Sequence, residues 1–90
     1  MTTINFKIET TTDITELTNI VNYLEDIVCE IMNNELNKDN WMALKSCREC
    51  LTGIDKFRKS DCAYSMYVNA VAVQVWANSA INNIDNDLSI

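Results

Sequence analysis

Proline is absent from this 90-residue chain, and Gly53 is its only glycine. Tight reversals draw heavily on those two residue types. A sandwich or barrel, with its many turns, is therefore disfavoured against long helices joined by few connections. One segment departs from that expectation. Thr3-Ile4-Asn5-Phe6-Lys7-Ile8-Glu9-Thr10 alternates apolar and polar residues with the period of a half-buried strand. A lone strand leaves a row of N–H and C=O groups without partners. Residues 2–10 could meet that need in three ways: by pairing with their copy across a two-fold axis, by adding to the edge of a target's sheet, or by folding back over the last helix.

The remainder reads as three helices in one small domain spanning 1–90, mainly α. Asp13 with Glu16 three positions on is a capping-box arrangement and opens helix 1, expected over 13–36. Ile14, Leu17, Val21, Leu24, Val28 and Ile31 step by three and four, flanked by Ile20 and Ile27, as one apolar stripe. Asn33-Asn34 and Asn37-Lys38-Asp39-Asn40 supply stop and start signals. Helix 2 is expected over 41–58, capped by Asp39 or Asn40. Its inner side carries Leu44, Cys47, Leu51 and Ile54, with Ala43, Cys50 and Phe57 beside them. Gly53 costs about 1 kcal/mol in mid-helix, and the expectation is that it lets another backbone approach. The short polar loop before helix 2 implies antiparallel packing.

Helix 3 is expected over 61–84, with Ser60-Asp61 as its cap. Within it Tyr67 to Trp76 holds four valines and alternates enough to be a strand. No breaker occurs between Asp61 and Asn82, and Ala63, Ala70, Ala72, Ala77 and Ala80 favour the helix. The polar tail from Asp85 to Ile90 is expected to fray.

Helix 3 carries more apolar surface than two short neighbours can cover. Met66, Ala70, Val73, Ala77, Ile81 and Ile84 form one face. Tyr67, Val68, Val71 and Val75 form a second, with Tyr64 and Trp76 nearby. Burying such a side chain is worth roughly 1.5–3 kcal/mol, and a large exposed patch is uncommon on a monomer. Helix 3, together with Ile4, Phe6 and Ile8 of the arm, is therefore the expected interface of a homo-oligomer or of a complex with a protein target.

Charge is segregated. The net charge is −6 and the pI about 4.3, which argues against direct nucleic-acid binding. Helix 1 holds Asp13, Glu16, Glu25, Asp26, Glu30 and Glu35 and no base, whereas helix 2 holds Lys45, Arg48, Lys56, Arg58 and Lys59. At 100° per residue Lys45, Arg48, Lys56 and Lys59 fall within about 80° of one another, with Thr52 among them. Three readings stay open. The stripe is a solvated face with pairs such as Arg48–Asp55 and Lys45–Glu49. Or Lys45, Arg48, Thr52, Lys56 and Lys59 hold a phosphate-bearing, nucleotide-like anion. Or Glu25, Asp26 and Glu30 imitate a polyanion and occupy a nucleic-acid-binding protein.

Enzymatic chemistry finds little support. Histidine is absent, which removes His-based acid–base catalysis and triads. One glycine cannot build a phosphate loop, and helix 3 has no base with which to read DNA. Cys47-Arg48-Glu49-Cys50, with Cys29 and Cys62, lacks the turn of a zinc knuckle and lies on an apolar side, so buried thiols are expected and no metal or cofactor. The acidic pairs Glu25–Asp26 and Asp85–Asp87 lack a catalytic setting. No basic n-region precedes an apolar run and no stretch suits a bilayer, so no membrane partner is expected and the chain is placed in a cytoplasm with reduced cysteines. Twelve asparagines hint at an AT-rich genome, phage or bacterial.

The stretch Trp41 to Lys59 resembles the second helix of phage sponges that sequester cyclic-nucleotide defence signals, through Trp41, Leu51, Gly53 and Arg58. The resemblance covers two helices, is offset by one residue in spacing, and does not extend to helix 3. It implies capture of a nucleotide-like anion. The residues themselves point first to a non-enzymatic interaction protein, an inhibitor or anti-defence factor that occupies a partner's surface.

Overall fold

The computed structural model describes residues 3–84 as three helices in up–down–up order: α1 Ile14–Asn33, α2 Trp41–Arg58 and α3 Ala63–Asn82. Expectations for Asp85–Ile90, the Asp85–Asp87 pair included, lie outside the described residues.

Local chemistry sets each boundary. Asp13 caps α1, accepting the Glu16 N–H at 2.8 Å. The helix ends at Asn33, three residues sooner than helix 1 was expected to, and its C-cap Asn34 accepts from the Leu36 N–H to start a single 3-10 turn, Glu35–Asn37. Asn37 is buried there and donates to the Ile31 carbonyl at 3.0 Å, satisfying one of the open carbonyls at the end of α1. Asn40 caps α2, and its Nδ2 also donates to the Asn83 carbonyl at 2.7 Å, tying the start of α2 to the end of α3. The expected cap Ser60-Asp61 does not form. Cys62 takes that place, its Sγ accepting the Ser65 N–H at 3.5 Å. The valine-rich segment 67–76 is helical throughout.

The core collects Leu17, Val21, Leu24, Ile27, Val28 and Ile31 of α1, Cys47, Cys50, Ile54 and Phe57 of α2, and Ala70, Val73, Ala77 and Ile81 of α3. Leu44 and Leu51 are only half-buried, and Ser46 is buried in their stead, with its Oγ 2.8 Å from Ser79 Oγ across the α2–α3 seam. Gly53 faces α3, but the neighbour closest to where its Cβ would lie is a side-chain methyl, with the Val73 backbone at 3.9 Å. A Cβ built there would lie 3.2 Å from Val73 Cγ2, so the missing side chain is what lets α3 come close. Cys50 Sγ, 3.5 Å from the Val73 carbonyl oxygen, marks the same approach.

The N-terminal arm is not a strand, and it pairs with no sheet. Its alternation survives: Thr3, Asn5, Lys7 and Glu9 are exposed while Ile4, Phe6 and Ile8 are half-buried against the core. The partner is the side-chain surface of α3. Asn78 Oδ1 accepts the Ile4 N–H at 2.9 Å and Asn78 Nδ2 donates to the Ile4 carbonyl at 2.8 Å. Gln74 repeats the arrangement on Phe6, at 2.9 and 3.3 Å. Two extended residues advance about 6.6 Å and four helical residues about 6 Å, so the two carboxamides fall in register with alternate arm residues. One step further along, α3 presents Ala70, which has no amide. There the chain turns, with Thr12 N–H bonded to the Glu9 carbonyl.

Candidate functional site

The arm is folded inward, with Ile4, Phe6 and Ile8 half-buried against the core. They fill the groove between α1 and α3, where Phe6 meets Tyr23 edge to face with centroids 5.7 Å apart. Tyr67 is half-buried and packs on the core, and Val71 is half-buried. The rest of the expected α3 surface stays open: Tyr64 is 69% exposed, Val75 60%, Val68 43% and Trp76 37%.

These side chains share one side of α3. Tyr64, Val68, Val71 and Val75 step by four, three and four, which draws a straight strip along a helix. Trp76 stands on the α2 side of the strip and lines a cleft of about 220 Å³ with Trp41, Met42, Lys45, Ser79 and Asn83. Trp41 and Met42, at 66% and 52% exposure, extend the apolar surface onto α2. At ~150–250 Å² for a whole large side chain, the exposed parts of these residues amount to on the order of 600 Å². That is the upper end for a monomer's largest patch and close to the roughly 800 Å² per partner of an ordinary stable interface. No charged residue occurs between Cys62 and Ile84, so α3 contributes no charge to this face.

The basic stripe is exposed along α2. Lys45, Arg48, Thr52, Lys56 and Lys59 all face solvent there, and Thr52 Oγ1 donates to its own helix, at the Arg48 carbonyl. Lys59 pairs with Asp55 at 3.0 Å. The pairs Arg48–Asp55 and Lys45–Glu49 are not among the ion pairs of the described residues. Lys45 alone of the five reaches the Trp41–Trp76 cleft.

Arg58, the remaining base of α2, is engaged with α1. It grips Glu25 with two bonds of 2.8 Å and donates to Asn22 at 3.0 Å. The Arg58 hydrogen bonds hold the Glu25 carboxyl below the usual carboxylate range. Glu25 therefore leaves the acidic face, where Asp26 and Glu30 line an open groove with Cys29, Asn33 and Asn34.

Cys47 and Cys50 are fully buried. Burial, with a smaller push from neighbouring thiols, raises their pKa values to about 11 and about 12. Cys29 and Cys62 are exposed. Among the described residues no three Cys, Asp or Glu side chains converge as metal ligands would, and no helix is long and apolar enough to cross a membrane.

Sequence reasoning missed Trp41 and Met42 as part of the apolar face, and Gln74 and Asn78 as the arm's anchors. Both had a signal. Gln74 and Asn78 are polar residues four apart on a helix otherwise apolar nearly all round, and Trp41-Met42 sits in the first turn of α2, apart from its inner positions. No protein-family model, curated protein or solved structure matches the chain.

Proposed function

We propose that this chain is a non-enzymatic interaction protein that self-associates and occupies a partner's surface through the outer side of α3. The supporting observation is the apolar strip Tyr64, Val68 and Val75, continued by Trp76 and Trp41, left exposed after the arm has taken its place. On a chain of net charge −6, two copies repel least where they meet at uncharged surface, and α3 supplies it. An inhibitor or anti-defence factor of a phage or bacterium, working by steric cover, is the form of activity that such a face suits. Light scattering at micromolar concentration tests it. The wild type should run above its 10.3 kDa chain mass, and the Val68→Asp/Val75→Asp variant should run at that mass. The same variant should lose capture of any host protein that the wild type retains. A wild type that is a clean monomer and captures nothing would refute the proposal.

A second reading has its own support. The cleft holding Trp41, Trp76 and Lys45 combines aromatic faces with an ammonium group, and Arg48 stands one turn from Lys45. A nucleotide-like anion would stack on an indole and place its phosphate on the bases. Lys45→Glu with Arg48→Glu should abolish anion capture while leaving self-association through α3 intact.

A further inference from the structure

We propose that the N-terminal arm exchanges between two copies of the chain, so that residues 3–8 of one copy fill the α1–α3 groove of the other. The inference rests on the self-association proposed above and adds what the second copy contributes.

The groove recognises the arm in a way that is indifferent to its source. The four hydrogen bonds from Gln74 and Asn78 fall on the backbone of Ile4 and Phe6, and the packing needs only apolar side chains at alternate positions. No contact of the groove depends on the connection between arm and α1. That connection is one turn at residues 9–12, held by Thr12 N–H to the Glu9 carbonyl and by Glu9 N–H to Thr12 Oγ1 at 3.1 Å.

Position favours the exchange. The arm leaves the groove beside Ala70, midway along the strip from Tyr64 to Val75. Suppose two strips pair antiparallel about a two-fold axis near that midpoint. Both grooves then lie on the same side of the pair, with the Ile8 end of each arm near the axis and Thr12 and Asp13 set back toward Ala63 at the start of α3. Paired helices stand about 8–10 Å apart, a span of about three extended residues. For a lone chain, its own arm competes at an effective concentration of order mM, and a foreign arm loses. Once the strips have paired, both grooves are tethered to both arms, and that advantage disappears. Each arm that crosses also adds to the contact between copies the surface that Ile4, Phe6 and Ile8 bury.

The Phe6–Tyr23 ring contact reports the exchange in the unaltered protein. Isotope-labelled and unlabelled chains are unfolded together, refolded at equal amounts, and examined by an isotope-filtered NOE experiment, with light scattering on the same sample. The expected result is a dimer with a Phe6–Tyr23 cross-peak between labelled and unlabelled chains. The cross-peak should be lost in the Gln74→Leu/Asn78→Leu variant. A dimer whose Phe6–Tyr23 cross-peak is confined within each chain overturns the exchange and leaves the α3 association standing. A monomer overturns both.

Discussion

Asn78 holds the backbone of Ile4 at both its polar groups, accepting from the N–H at 2.9 Å and donating to the carbonyl at 2.8 Å. A neighbouring strand would make the same two bonds, and here one side chain makes them. Asn78→Asp keeps the acceptor and replaces the donor by a second oxygen facing the Ile4 carbonyl. It should therefore cost more than Asn78→Ala, which is expected to lose about 1–2 kcal/mol by leaving part-buried groups unpaired. Thermal melts of the two variants check the order, and faster amide exchange at Ile4 than in α2 locates the damage in the arm.

The helices were legible where periodicity alone decides. Leu17, Val21, Leu24, Val28 and Ile31 repeat at the helical period, and each is buried. The bounds of α2 agree with the expectation because Asn40 is a strong cap and Arg58-Lys59-Ser60 leaves the apolar pattern. The arm shows where such reading stops. Its alternation was visible in the sequence, but its partner is a pair of carboxamides 68 and 74 residues away, matched by the near coincidence of two strand steps and one helical turn. Cys62 was missed as a cap because the usual cap acceptor is an oxygen, and Asp61 offered one next door. In the candidate site, the surplus of apolar surface on α3 was legible from the wrap of Val, Tyr and Trp. Which of those residues stay open was not, because the arm's position decides it: Tyr67 and Val71 stand on its side, Val68 and Val75 away from it.

Gly53 and Val73 should prove energetically coupled. Ala is the better helix former by about 1 kcal/mol, but its Cβ would meet Val73 Cγ2 at 3.2 Å. Val73 is β-branched, fully buried and stiff at χ1, so it cannot swing aside cheaply. Gly53→Ala is expected to destabilise by about 1 kcal/mol net, since overpacking costs about 1–3 kcal/mol. In a Val73→Ala background the same change should stabilise. A double-mutant cycle in urea should return a coupling of at least about 0.5 kcal/mol. Simple additivity would mean that the two helices separate to make room.

Glu25 and Arg58 predict an acid limb to stability. The folded carboxyl titrates below its ordinary range, chiefly because Arg58 bonds to it. The unfolded state therefore takes up the proton first as pH falls. The contribution is fully present above the unfolded glutamate value of about 4.3 and is lost as pH drops through the lower folded value. Both side chains are substantially exposed, so the pair is worth at most about 1 kcal/mol. Glu25→Gln should lower the melting temperature slightly at pH 7, by an amount that shrinks as pH falls below the unfolded glutamate value. High salt should shrink the difference at pH 7.

The four cysteines should divide two and two under alkylation. Cys62 is exposed, and the Ser65 hydroxyl and backbone N–H beside its Sγ lower its pKa, so it should react with iodoacetamide at pH 8 as an accessible thiolate. Cys29 is exposed as well. Cys47 and Cys50 are buried, with pKa values pushed up to about 11 and about 12, and should stay unmodified until the chain unfolds. Mass spectrometry would read two labels on the native protein and four in denaturant. The same shift makes alkali destabilising. Unfolded thiols ionise near about 8.5 while the buried pair keeps its protons, so stability is full below that pH and falls as pH rises toward the folded values. Melting temperatures measured from pH 8 to pH 10 should decline, and Cys50→Ala, though less stable at pH 7 for the cavity it leaves, should show a shallower decline. Equal slopes for the two proteins would show that Cys50 ionises as readily folded as unfolded.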